Sequence, residues 1–131
     1  MTRLPLIAAI RLSAAVPAIA AAVLAAPAPA GAQAGFNGTW SVLIVTDSGP
    51  CDRAYRYPVR VNNGEVSYAG QADFNVSGRV RKDGAVDVTV SRRDQRASGT
   101  GRLRGDSGSG TWRGTDATGT CSGTWTAEKR G

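Results

Sequence analysis

The chain has 131 residues, 41 % hydrophobic, 6 % aromatic and 20 % charged, with a formal charge of +6. It holds no His and 2 Cys, which excludes His-based triads, His-ligated metals or haem, four-Cys zinc sites and iron–sulfur clusters. The length allows one ordinary domain.

Residues 1–34 read as a signal peptide. Arg3 and Arg11 supply positive charge, residues 12–24 form an apolar stretch, and Ala32-Gln33-Ala34 supplies small residues for cleavage after Ala34. The apolar run is too short to span a bilayer and is interrupted by Pro17. The expected product is one domain, residues 35–131, in the periplasm or the medium. With Arg3 and Arg11 gone, 14 basic residues face 10 acidic ones, a net charge of about +4. That is too mild for a nucleic-acid-binding stripe, and Asp94 interrupts the densest run, Arg92-Arg93-Asp94-Gln95-Arg96.

Seven turn signals divide this domain into eight segments. They are Asp47-Ser48-Gly49-Pro50, Asn62-Asn63-Gly64, Ala69-Gly70, Lys82-Asp83-Gly84, Arg93-Asp94, Gly105-Asp106 and the Gly-rich stretch 114–119. Each segment alternates with period two, the mark of an extended strand. In chain order, the first sets Phe36, Gly38, Trp40, Val42 and Ile44 on one face against Asn37, Thr39 and Ser41. The second sets Tyr55, Tyr57, Val59 and Val61 against Arg56 and Arg60, and the third carries Val66 and Tyr68. Phe74, Val76, Gly78 and Val80 follow, then Val86, Val88 and Val90, each against polar neighbours. The last three present Ala97, Gly99, Gly101 and Leu103; Gly108, Gly110 and Trp112; and Cys121, Gly123, Trp125 and Ala127.

All eight aromatic residues fall on the inferred inner face, and the outer face is Ser, Thr, Asp, Asn and Arg. A lipid-embedded barrel needs the reverse. The expected fold is therefore all-β: an antiparallel up-and-down barrel of about eight strands, closed on itself and not membrane-spanning. Seven inner glycines (38, 78, 99, 101, 108, 110 and 123) either make room for large rings or leave a cavity. An exported chain with two cysteines pairs them. Cys51 follows the first strand and Cys121 opens the eighth, which are neighbours in a closed barrel, so one disulfide is expected there.

Gly-Thr-Trp occurs three times, at 38–40, 110–112 and 123–125. The first copy lies in Phe36-Asn37-Gly38-Thr39-Trp40, which resembles the opening strand of calycin barrels: lipocalins, fatty-acid-binding proteins, avidins and bacterial metalloprotease inhibitors. The resemblance covers five residues and the strand number. It implies that Trp40 closes one barrel end, with Lys129 or Arg130 as the basic side chain over it. Avidins carry an Asn two residues beyond this Trp, where this chain has Val42, so biotin binding is not implied. Lipocalins are much longer. Metalloprotease inhibitors match in size and single disulfide but use a trunk ahead of the barrel, for which the expected cleavage point leaves no room. The chain is also similar to small exported β-proteins of alphaproteobacteria.

Catalysis has little support. Ser48 lacks a basic partner, and Asp47 and Asp52 read as turn formers rather than a carboxylate pair. Asp106 and Asp116 sit in Gly-rich turns without calcium-loop spacing. No cofactor or metal is expected. The reading is a non-enzymatic binding protein whose candidate ligand-binding residues are Trp40, Tyr55, Tyr57, Tyr68, Trp112 and Trp125, holding a small apolar or aromatic ligand. The alternatives are a protein-binding module or inhibitor of an extracytoplasmic hydrolase, using loops 47–53 and 113–120, and an envelope-associated structural protein with an arginine-bearing exterior.

Overall fold

The computed structural model describes residues 35–131; the expected signal peptide lies outside the described residues. The strands are β1 (Gly38–Ser48), β2 (Ala54–Asn62), β3 (Glu65–Tyr68), β4 (Asn75–Val80), β5 (Ala85–Arg92), β6 (Gln95–Arg104), β7 (Ser107–Asp116) and β8 (Gly119–Lys129). Each pairs antiparallel with the next, and β8 returns to β1, closing an eight-stranded barrel. No helix among the described residues is long and apolar enough to cross a membrane.

The turns are short because their residues match the required backbone. Asn63 (φ 51°) and Gly64 (φ 84°) link Asn62 to its partner Glu65, two consecutive positive φ values as in the two-residue turns that suit strand twist. At the β7–β8 turn, Asp116 Oδ1 accepts hydrogen bonds from the Thr118 amide (2.7 Å), the Thr118 hydroxyl (2.6 Å) and the Gly119 amide (3.1 Å). These bonds, the Thr118 hydroxyl foremost, hold the Asp116 carboxyl below the usual carboxylate range. Only residues 117 and 118 form this turn; the Gly-rich stretch expected as a loop is mostly strand, with Gly114 lining the cavity and Gly119 exposed beside Pro50. Phe36, expected within the first strand, precedes β1 and packs against the core from outside it.

One barrel end is closed to solvent. Trp40 and Val80 are each 1 % exposed, and Val61, Val66, Val86, Leu103 and Ala127 close around them. Trp40 Nε1 donates to the Phe36 carbonyl at 2.9 Å. Lys129 Nζ donates to the Gly35 carbonyl (3.3 Å) and Arg130 pairs with Glu128 (3.7 Å). The Thr39 amide donates to the Gly131 carbonyl and the Arg130 amide to that of Thr39, so the tail prolongs the β1–β8 seam.

At the other end the Cys51–Cys121 disulfide (Cα–Cα 6.1 Å) ties the β1–β2 loop to β8. It links positions 70 residues apart, worth roughly 4 kcal/mol on the loop-entropy account. Such a bond belongs to an oxidising compartment outside the cytosol.

Candidate functional site

The disulfide end is the open end. From it a cavity of about 270 Å³ descends along the barrel axis to Trp40. Its walls are chiefly aliphatic and aromatic, with Val42, Ile44, Val59, Val88 and Val90 among them, while Asp52, Arg92, Gln95, Arg96 and Asp116 stand around the mouth. The interior is thus apolar and the entrance carries both signs of charge.

Two walls are built from tryptophans lying across glycines. Trp125 of β8 is opposite Gly110 of β7, which is opposite Gly101 of β6. The indole crosses both, and its Nε1 donates to the Thr100 carbonyl at 3.1 Å. Trp112 of β7 is opposite Gly123 of β8. Its Nε1 donates to the Val45 carbonyl of β1 at 3.0 Å, beside the register shift between Thr46 and Ser48. The sequence expectation that inner glycines make room for rings describes Gly101 and Gly110, where a Cβ would strike Trp125. Gly78 and Gly108 instead admit Val88 and Leu103, and Gly123 the backbone of β1.

A third wall is made of side chains rather than ladder. β3 pairs only with residues 59–62 of β2, and the last bond between them runs from the Ala69 amide to the Pro58 carbonyl. Pro58 has no N–H to return it, so the ladder stops there. Mouthward of that point the rings continue the barrel. Tyr57 stacks on Phe74 (centroids 5.8 Å, 15° between planes), and Tyr68 meets Phe74 edge-on at 5.3 Å. The Arg92 guanidinium lies 4.9 Å from the Phe74 centroid and bonds Asp73 at 2.7 Å. That bond, above all, lowers the Asp73 pKa.

Of the six candidate residues, Trp40, Tyr55, Tyr57, Trp112 and Trp125 line the cavity. Tyr68 does not: β3 ends there, and its ring turns to Phe74 and the following loop, where its hydroxyl accepts from the Ala72 amide at 3.3 Å. Tyr55 lies at the rim and is 39 % exposed, so the expectation that every ring is interior fails at that position. Lining residues outside the six candidates include Phe74, which alternation placed on the inner face, and Arg92, Gln95 and Arg96 at the mouth, which it did not. Pro58 inside an alternating run was the available signal that a ladder ended nearby.

Cys51, Asp116 and Cys121 cluster at the rim, with Asp116 Oδ2 3.6 Å from Cys51 Sγ. Both sulfurs are consumed by the disulfide, so neither offers a thiolate to a metal. The β1–β2 loop and the β7–β8 turn, which lie within the expected loops 47–53 and 113–120, meet here, with Pro50 beside Gly119.

The chain matches no family model, no curated protein and no solved structure. The eight-stranded antiparallel barrel is consistent with a calycin-like architecture, and the reading of the site rests on its own geometry.

Proposed function

We propose that the protein is an exported, non-enzymatic carrier or sensor of a small apolar, flat ligand, bound within the barrel. One observation carries this reading: an apolar cavity of about 270 Å³ that opens to solvent at the disulfide end instead of being filled. Empty apolar volume is destabilising in a core, since the lining atoms lose contacts on one side. An apolar cavity of about 150 Å³ accommodates one benzene ring, so this lumen suits about two fused rings. It falls just below the roughly 300–1,000 Å³ of drug-sized sites, which disfavours long lipid chains. The disulfide and the features of residues 1–34 support export. The opening-strand motif together with the closed barrel supports kinship with calycins.

Titration of the purified protein with 2-ethylnaphthalene, followed by quenching of tryptophan fluorescence, tests the reading. Saturable 1:1 quenching is expected, because Trp112 and Trp125 line the cavity. Absence of saturable quenching by this or any two-ring hydrocarbon removes it.

A further inference from the structure

The polar groups that the tryptophans and Thr46 bring to the lumen wall are committed to backbone carbonyls. The Nε1 groups of Trp40, Trp112 and Trp125 donate to backbone carbonyls. The Thr46 hydroxyl, buried at 4 % exposure, donates to the Asp52 carbonyl at 2.5 Å. Tyr57 is 8 % exposed and lines the cavity, yet among the described residues its hydroxyl has no hydrogen-bond partner. Buried hydroxyls are almost always bonded, and leaving one unbonded costs about 1–3 kcal/mol.

We infer that Tyr57 is the polar anchor of the binding cavity, its hydroxyl donating to a neutral hydrogen-bond-accepting oxygen on an otherwise apolar, flat ligand such as an aryl carbonyl compound. This rests on the reading of the lumen as a ligand site. Burial keeps the phenol protonated, its pKa pushed up to about 12, so it is a donor at every physiological pH. The same burial disfavours a carboxylate at that position. Arg92, the cation beside Phe74, is committed to Asp73 at 2.7 Å, and Arg96 stands exposed at the mouth. Tyr57 is also fixed in place: its ring stacks on Phe74, and its backbone is opposite Val42 in the β1–β2 ladder.

The experiment compares 2-acetylnaphthalene with 2-ethylnaphthalene, near-isosteric probes differing in one carbonyl, against the native protein and Tyr57→Phe. The native protein is expected to prefer the ketone by about tenfold, the worth of one buried hydrogen bond. Tyr57→Phe keeps the stacked ring and loses the preference, so that it binds the two probes alike. In infrared spectra, the carbonyl stretch of the bound ketone shifts to lower frequency in the native protein and returns in the variant. Equal binding of the two probes by the native protein, or a preference that survives Tyr57→Phe, overturns the anchor and leaves the lumen reading standing. No binding of either probe overturns both.

Discussion

Gly110 lies directly opposite Trp125 across the β7–β8 ladder, and two residues along the same ladder Trp112 lies opposite Gly123. The two Gly-Thr-Trp copies are therefore antiparallel complements: each supplies the glycine opposite the other's indole, and Thr111 pairs with Thr124 on the outer face. A Cβ on Gly110 would collide with the Thr100 carbonyl and stand 2.6 Å from Trp125 Nε1. Gly110→Ala is thus expected to displace Trp125 and break its bond to Thr100. The cost is about 2–3 kcal/mol, as for other overpacked sites. It should appear as a lower urea midpoint with a red-shifted tryptophan emission; an unchanged midpoint and spectrum would contradict the reciprocal packing.

Alternation made most of this barrel legible in the sequence, because side chains of a strand face opposite ways whatever their neighbours are. It ordered the eight strands, put the valines and tryptophans inside and placed Cys51 beside Cys121. It did not show which half of the lumen stays open. That depends on which residues stand level across strands, and hence on stagger: Trp40, Leu103 and Val80 crowd one end, whereas Val90, Ala97 and Gly114 face the other. Nor does a period-two pattern say that Tyr68 turns away where its strand stops, or that the buried Tyr57 hydroxyl is left without a partner among the described residues.

The disulfide offers a second prediction. Reduction, or the double substitution Cys51→Ser with Cys121→Ser, frees a constraint spanning 70 residues and should cost roughly 4 kcal/mol. The β1–β8 ladder has its own backbone bonds, so the strands are expected to persist in far-ultraviolet circular dichroism while the urea midpoint falls. Identical midpoints with and without reductant would mean that the closed ladder alone holds the seam.

Tyr57 makes stability depend on alkaline pH. Its pKa is raised by burial, and secondarily by Tyr55, from 10.0 to about 12 in the folded state. Below pH 10 both folded and unfolded chains keep the proton, and the group contributes no pH dependence. Between pH 10 and 12 the unfolded chain loses it first, so stability falls, by roughly 2–3 kcal/mol across the window. Tyr57→Phe is expected to flatten this part of the profile, measured as urea midpoints from pH 9 upward. The variant should also be no less stable than the native protein near neutrality, since removing an unbonded buried hydroxyl relieves a desolvation cost.

Filling the lumen separates a binding site from a packing defect. Val90 is half-buried, pairs with Val76 and Ala97, and faces the cavity from β5. In Val90→Phe the added ring has open volume to enter. Apolar filling of a void raises stability by about 1 kcal/mol when the shape allows. Affinity for 2-ethylnaphthalene should meanwhile fall at least about tenfold, because the ring takes the volume that the probe needs. A variant that gains stability and loses the probe locates binding inside the barrel. One that gains stability and still binds the probe unchanged would place the probe elsewhere, on the exterior or at the rim, and the cavity would then be only an imperfectly packed core.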